Sequence, residues 1–133
     1  MRAVVDTNVL VYDTFEDSIY HRDARSILDG LDEWVIPLIV IYEYVWFLKG
    51  LNVSLEDATL KVREYLLSSK NKLIVEEIDD LVKALDMLLL EKLSLSRFND
   101  KIVLSIASRI GAIATFDDKL RKQAAKKGIA VLP

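Results

Sequence analysis

The stretch Ala3-Val4-Val5-Asp6-Thr7-Asn8 decides how this chain is interpreted. Its first three residues are apolar and two of them are β-branched, which is typical of a short buried strand. Asp6, Thr7 and Asn8 follow at once, and residues of these types end strands and cap helices. A strand that leads directly into a helix is the repeating step of α/β proteins. An acidic residue at that junction stands where such proteins bind ligands.

The same step recurs along the rest of the chain. Strands are predicted over 34–36, 73–75, 112–115 and 129–132, and helices over 19–31, 38–49, 54–68, 79–93, 96–110 and 117–127. This alternation predicts a three-layer α/β/α fold, with helices on both faces of a central parallel sheet of four to five strands. We expect a single domain over residues 1–133.

Two of the predicted helices are unusually apolar. The helix over 38–49 is apolar on nearly every face, which predicts full burial. The helix over 79–93 has Leu81, Leu85, Leu88 and Leu89 at helical spacing. Part of this apolar surface is a candidate dimer interface or a candidate docking site for a partner peptide.

Composition limits the chemistry that the chain can carry. Its 133 residues are 52% hydrophobic and 29% charged with a net charge of −3, which excludes disorder as the main state. The absence of cysteine excludes disulfides and Cys-ligated zinc or iron–sulfur sites. A single histidine, His21, argues against a His-rich metal site and a Ser-His-Asp triad. The four glycines form no G-x-G-x-x-G dinucleotide motif.

The apolar segments are too short for a membrane protein. The longest uncharged apolar run, 34–42, is interrupted by Pro37, whereas a membrane-spanning helix needs about 20 residues. Residues 1–8 contain no signal peptide pattern. We therefore expect a cytoplasmic protein.

Four acidic residues occupy positions where a ligand site is expected. Asp6 and Asp117 follow strands, Asp100 opens a helix, and Glu43 stands in an apolar helix with no other charge within five residues. Each acid alone has an ordinary explanation as a turn residue, a helix-terminal charge or a paired buried carboxylate. Together they form the all-oxygen donor set that Mg²⁺ or Mn²⁺ prefers.

These positions also carry a family resemblance. The strings Val4-Val5-Asp6-Thr7-Asn8-Val9-Leu10, Asn99-Asp100-Lys101-Ile102-Val103-Leu104-Ser105-Ile106-Ala107 and Ala114-Thr115-Phe116-Asp117, with a lone Glu43 between the first two, resemble the PIN domain in order and spacing. The resemblance covers essentially the whole chain and is greatest to the VapC-type toxins of prokaryotic toxin–antitoxin pairs.

The resemblance implies a metal-dependent endoribonuclease that hydrolyses RNA phosphodiester bonds. Asp6, Glu43, Asp100 and Asp117 match the family's catalytic, metal-binding acids, with Mg²⁺ or Mn²⁺ as cofactor. Asn8 and Thr115 match its supporting polar residues, and the adjacent Asp118 stays open as an alternative ligand. The resemblance further implies a homodimer and an antitoxin partner whose C-terminal segment covers the active site.

Basic and aromatic residues near the acids are candidate RNA contacts. The candidates directly after Asp117 are Lys119, Arg121, Lys122 and Lys126. Their simpler interpretation is a solvated helix face. Tyr12 and Phe15 follow Asp6 at helical spacing and are candidates for base stacking, although core packing explains them as well.

Two alternative functions remain open, and a third is disfavoured. A housekeeping PIN endonuclease in RNA maturation or decay would carry the same residues. A Mg²⁺-dependent phosphatase with an aspartyl nucleophile is disfavoured, because Asn8 stands where a second acid is expected. A non-catalytic interaction or regulatory module would tolerate Asp100→Asn without effect.

Overall fold

A computed structural model describes residues 1–133 as an α/β protein built on one parallel sheet. The five strands are β1 (Arg2–Val5), β2 (Glu33–Pro37), β3 (Asn71–Ile74), β4 (Ala112–Ala114) and β5 (Ala130–Leu132). The seven helices are α1 (Thr7–Thr14), α2 (His21–Gly30), α3 (Leu38–Gly50), α4 (Leu55–Leu67), α5 (Ile78–Glu91), α6 (Phe98–Ile110) and α7 (Asp118–Lys126). A short 3₁₀ helix, Leu95–Arg97, precedes α6. The predicted fold class is confirmed.

The strand order β3-β2-β1-β4-β5 places β1 at the centre of the sheet. The chain moves outward from β1 to β2 and β3, and then returns across the sheet to β4 on the other side of β1. Because parallel crossovers are right-handed, this change of direction puts α1–α4 and α5–α7 on opposite faces. The carboxyl ends of β1 and β4 therefore form the switch point where α/β sheets bind ligands.

The core lies on both sides of β1. Ala3, Val4 and Val5 are fully buried, as expected for a central strand covered on both faces. Residues 101–107 of α6 are also buried, and this helix packs against β1 and β4. Gly111 ends α6 with a φ of 98°, a left-handed conformation that glycine adopts without steric strain.

The expectation that the helix over 38–49 is fully buried is wrong. In α3, Val40, Ile41, Tyr44 and Leu48 are buried, but Tyr42, Val45, Trp46 and Phe47 are exposed. The reason is that α3 packs on α1, α4 and β2 from one side only. A helix in the outer layer buries one face whatever its composition.

The leucines of α5 are likewise exposed more than their spacing suggests. Leu88 is buried, whereas Leu81, Leu85 and Leu89 are exposed, Leu89 by 79%. The groove between the end of α5 and the 3₁₀ helix is lined by leucines only: Leu85, Leu88, Leu89, Leu93 and Leu95. No helix is both long enough and apolar enough to cross a membrane.

Candidate active site

The four predicted acids line one open cavity of about 280 Å³ at the carboxyl end of the sheet. Asp6 follows β1, Glu43 lies in the second turn of α3, Asp100 lies in the first turn of α6, and Asp117 precedes α7. The other lining residues are Thr7, Asn8, Val11, Tyr12 and Phe47. The strand ends and helix starts of the switch point thus bring together acids that are up to 111 positions apart in the sequence.

Asp6 is the most deeply buried of the four acids, with 7% of its surface exposed. Its Oδ1 accepts a hydrogen bond from the Thr7 backbone N–H at 2.8 Å, and its Oδ2 accepts one from the Thr115 hydroxyl at 2.8 Å. Burial raises the pKa of Asp6 to about 7, although these two hydrogen bonds oppose the shift. The nearby charges of Asp100 and Glu43 raise this pKa further.

Asn8 and Thr115 connect the ends of β1 and β4. The Asn8 side-chain amide donates to Asp6 Oδ2 at 3.1 Å and to Thr115 Oγ1 at 3.2 Å. Asn8 Oδ1 accepts from the Phe116 backbone N–H at 3.0 Å, and Thr115 Oγ1 accepts from the Asp117 backbone N–H at 3.1 Å. These bonds fix the strand ends that carry Asp6 and Asp117, and the supporting roles of Asn8 and Thr115 stay a prediction.

Glu43 is half-buried at the cavity wall rather than enclosed in apolar surroundings. The Thr7 hydroxyl donates to its Oε1 at 2.8 Å, and the Asn99 amide lies 3.4 Å from its Oε2. Sequence reasoning did not assign Thr7 or Asn99 a role. The only local signal is that each stands next to one of the predicted acids, Asp6 or Asp100.

Asp100 is the acid with a basic neighbour. Its Oδ2 lies 3.2 Å from Arg97 Nε, an i,i+3 ion pair across the start of α6. Burial, together with the charge of Asp117, nevertheless raises the pKa of Asp100. Lys101 points elsewhere, because its side chain is 1% exposed and its Nζ pairs with Glu91 Oε2 at 2.6 Å. Lys101 therefore joins the start of α6 to the end of α5.

Asp117 and Asp118 face different cavities. Asp117 caps α7, accepting from the backbone N–H groups of Lys119 and Leu120 at 2.9 and 3.1 Å, and lines the cavity of the four acids. Asp118 lines a neighbouring cavity of about 180 Å³ instead. Because the two aspartates are consecutive residues at the start of α7, their carboxylates point in different directions.

The predicted RNA contacts on α7 have different environments. Lys119, Lys122 and Lys126 are exposed. Arg121 is half-buried, and its guanidinium donates to the Thr115 carbonyl at 2.9 Å and to the Pro133 carbonyl at 3.0 Å. Arg121 therefore connects the end of β4 to the end of the chain.

The two aromatic residues predicted to contact RNA line different cavities. Tyr12 lines the cavity of the four acids, whereas Phe15 lines another cavity beside Leu48 and Val53. Tyr20 and Phe116, which sequence reasoning did not single out, pack against Tyr12 with ring centroids 5.2 and 5.3 Å away. No periodic pattern in the sequence marks Tyr20 and Phe116, because they lie in separate loops that only folding brings together.

The donors of this cavity are carboxylate, hydroxyl and amide oxygens, the set that suits a hard divalent cation. Burial raises the pKa values of Asp6 and Asp100, and neighbouring acids raise them further, so positive charge in the cavity would stabilise the ionised carboxylates. A cation would supply that charge, so the residues fit one in kind and in charge. No three acidic side chains are close enough to form a preformed ligand cluster, so their side chains would have to turn towards an ion.

Comparisons with known proteins agree with this architecture. The family model described as the PIN domain matches residues 3–126. The fold is similar to that of Mycobacterium tuberculosis VapC20, a sarcin–ricin loop cleaving toxin, with a TM-score of 0.79, 16% identity, and coverage of 98% of this chain and 99% of that chain. It is also similar to a chain of a toxin–antitoxin complex from Klebsiella pneumoniae, with a TM-score of 0.62, 23% identity and 88% coverage of both chains. No curated protein sequence matches the chain.

Proposed function

The chain belongs to the PIN-domain family, and on that premise we propose that it is a metal-dependent endoribonuclease that serves as the toxin of a type II toxin–antitoxin pair. The observation that carries the proposal is the meeting of Asp6, Glu43, Asp100 and Asp117 in one open cavity at the switch point of the sheet. The two structural neighbours, an RNA-cleaving toxin and a toxin–antitoxin complex, support the same function.

The four acids are the residues that would hold Mg²⁺ or Mn²⁺. We propose Asp117 rather than Asp118 as the fourth ligand, because only Asp117 lines the cavity with the other three. When bound, the cation supplies Lewis-acid activation of water and neutralises the charge that develops on the phosphate oxygens.

The remaining polar residues orient these carboxylates. Thr115 and Asn8 hold Asp6 Oδ2, and Thr7 holds Glu43 Oε1. Hydrogen bonds of this kind keep a ligand in one orientation and commonly change metal affinity or activity by about 10–100-fold when lost. Arg97 screens Asp100 and is a candidate contact for a substrate phosphate.

We propose that single-stranded RNA crosses the cavity along the start of α7. Lys119 and Lys122 are exposed on this helix directly after Asp117, where they offset the acids and contact phosphates. Lys126 continues the same face. Arg121 is the weakest of the predicted contacts, since its guanidinium already donates to two backbone carbonyls.

The proposed partners are an antitoxin and a second copy of the chain. Tyr42 and Trp46 of α3 are exposed beside the cavity, and Leu89 and Leu90 of α5 are exposed on the other side of the sheet. Large exposed apolar residues in such number commonly mark protein interfaces. Light scattering of the purified protein, alone and with the product of an adjacent small gene, tests both partners.

Cleavage of a labelled RNA mixture tests the enzyme. The protein is compared in Mn²⁺, in Mg²⁺ and in EDTA, alongside Asp100→Asn and the matched control Asp86→Asn, an exposed acid on α5. We expect metal-dependent cutting that Asp100→Asn reduces by at least about 100-fold and that the control leaves intact. Equal cutting by both variants would remove Asp100 from the reaction.

Growth of bacteria that express the protein separates the toxin from a housekeeping nuclease. A toxin arrests growth on induction, Asp100→Asn does not, and co-expression of the antitoxin restores growth. A nuclease of RNA maturation would cut RNA in the first experiment without arresting growth in the second.

A further inference from the structure

A group of three aromatic rings borders the cavity of the four acids, and we name it the aromatic cluster: Tyr12, Tyr20 and Phe116. The rings of Tyr20 and Phe116 stack with their centroids 4.8 Å apart and 10° between their planes. Tyr12 meets both rings edge-on. Tyr12 lines the cavity of the four acids, and Phe116 directly precedes Asp117. The cluster therefore connects the reaction cavity to the surface beside it.

A smaller cavity of about 180 Å³ borders this cluster. Its aromatic walls are Tyr20 and Phe116, and 38% of the surface of Tyr20 is exposed. Its polar walls are the carboxylates of Asp23 and Asp118 and the guanidinium of Arg121, with Pro133 completing the lining. The cavity thus combines two aromatic residues with hydrogen-bond acceptors.

We infer that this smaller cavity binds one unpaired base of a single-stranded RNA, and that guanine is the preferred base. The inference deepens the proposed nuclease function and rests on it. Unpaired bases are recognised in proteins by stacking on aromatic side chains and by hydrogen bonds to their edges. Both elements are present here within one residue of a proposed metal ligand, Asp117.

The charges favour a base over a phosphate. Asp23 and Asp118 repel a phosphate group, and the Arg121 guanidinium is already held by two backbone carbonyls. A carboxylate accepts two parallel hydrogen bonds, and the Watson–Crick edge of guanine presents two adjacent donors, N1–H and N2–H. Uracil presents one donor between two carbonyl oxygens, which a carboxylate repels. The lining therefore discriminates between bases and not only between paired and unpaired RNA.

The aromatic cluster is held in place before any ligand arrives. The Ser18 hydroxyl donates to the Tyr12 carbonyl at 3.0 Å, and His21 Nδ1 lies 2.9 Å from the same oxygen. These contacts fix the loop that carries Tyr20. The Phe116 backbone N–H donates to Asn8 Oδ1 at 3.0 Å, which fixes the other half of the stack. A preorganised site loses less entropy on binding.

Binding of free nucleosides tests the subsite without any reaction. Guanosine and uridine carry no phosphate, and EDTA removes metal, so saturation-transfer NMR reports the base site alone. We expect guanosine to bind more tightly than uridine to the wild-type protein. Tyr20→Leu is expected to weaken guanosine binding about 5- to 150-fold, the range for loss of one stacked base.

Carboxyl variants supply a test that does not disturb the packing. Asp23 is exposed, so Asp23→Asn keeps the fold and should remove the preference for guanosine over uridine. Asp118→Asn should act in the same direction. The matched control Asp17→Asn changes the charge of an exposed residue in the loop before α2 and should leave the preference unchanged. Equal binding of the two nucleosides to the wild-type protein overturns the inference.

Mapping of the cut positions separates this inference from the proposed function. On a single-stranded RNA of random sequence, cuts should have guanine at one fixed position, and Asp23→Asn should remove that bias. Cuts without a fixed base would overturn the subsite and leave the nuclease standing. Guanosine binding without any cutting would support the subsite and overturn the nuclease.

Discussion

Two buried aspartates of this protein have opposite shifts in pKa. Asp6, in the cavity of the four acids, is 7% exposed, and its pKa is raised to about 7. Asp80, at the start of α5, is 2% exposed, and its pKa is lowered although burial alone would raise it. Burial alone therefore does not decide the charge state of a carboxylate in this fold.

The difference lies in the partners that each aspartate has. Asp80 accepts from the Glu77 backbone N–H at 2.9 Å, from the Ser105 hydroxyl at 2.7 Å and from the Arg109 guanidinium at 2.6 Å. Asp6 has hydrogen bonds but no cation within its contacts, and two further acids raise its pKa. The protein itself supplies Asp80 with a cationic partner, and under the proposed function a bound metal ion would supply one to Asp6.

The largest expected effect comes from neutralising each aspartate in the metal-free protein at pH 8. Asp6→Asn should increase the free energy of unfolding by up to about 4 kcal/mol, since each unit of pKa shift corresponds to about 1.4 kcal/mol. Asp80→Asn should decrease it by about 2–3 kcal/mol, because a hydrogen-bonded charge and a helix cap are lost. Urea unfolding measures both values.

The pH dependence of these two variants sharpens the same comparison. Because the pKa of Asp6 is raised, its contribution to stability is lost as the pH rises from about 4 to 7. The increase in the free energy of unfolding in Asp6→Asn, relative to the wild type, should therefore grow over that range. The lowered pKa of Asp80 means that its contribution is present above pH 4 and lost below it, so the cost of Asp80→Asn falls in acid. If the stability difference between variant and wild type changed with pH in the same direction for both variants, the comparison would fail.

The next effect is stabilisation by a divalent cation. At about 100 times its dissociation constant, Mn²⁺ should stabilise the folded protein by about 2.7 kcal/mol. At one fixed Mn²⁺ concentration the stabilisation should be larger at pH 8 than at pH 6, because an ion displaces the proton that Asp6 holds below pH 7. Differential scanning fluorimetry measures it as a rise in melting temperature.

The two aspartates again provide the control for this experiment. Asp6→Asn should lose the rise in melting temperature, and Asp80→Asn should keep it from a lower starting value. A rise that survives in Asp6→Asn would place the cation elsewhere on the protein.

The smallest expected effect concerns the one hydroxyl that supports Asp6 from β4. Thr115 is fully buried, and its hydroxyl donates to Asp6 Oδ2. Thr115→Val should raise the pKa of Asp6 further and lower the stability at pH 8 by about 1 kcal/mol. Carbon-13 NMR of the side-chain carboxyl group over a pH titration reports the pKa, with Ser108→Ala, which removes a hydroxyl on α6, as the control.

The fold was predictable because its signals are local. Strand and helix boundaries can be predicted to within a few positions from short patterns. Examples are the β-branched run 3–5 and the capping residue Ser54 before α4. The alternation of these elements then leaves few topologies, because parallel crossovers have one hand. The order of the strands, with β1 at the centre, emerged only from the folded chain.

The candidate site was predictable in its residue types and not in its arrangement. Asp6, Glu43, Asp100 and Asp117 were identified from motif and position, and the structure brings them into one cavity. Their roles as metal ligands stay a prediction. Thr7 and Asn99, which hold Glu43, were missed because their contacts span 36 and 56 positions in the sequence.

By itself, the sequence determined the class of fold, the acids that follow the strands and the donor chemistry available to a ligand. Only the tertiary structure decided that Asp117 faces the cavity while Asp118 does not. It also decided that Asp80 has a cationic partner, Arg109, while Asp6 has none. The physical reason is the distance along the chain over which each interaction acts. Backbone preference and hydrophobic period act over a few residues, whereas desolvation and charge pairing depend on groups that folding brings together from distant parts of the chain.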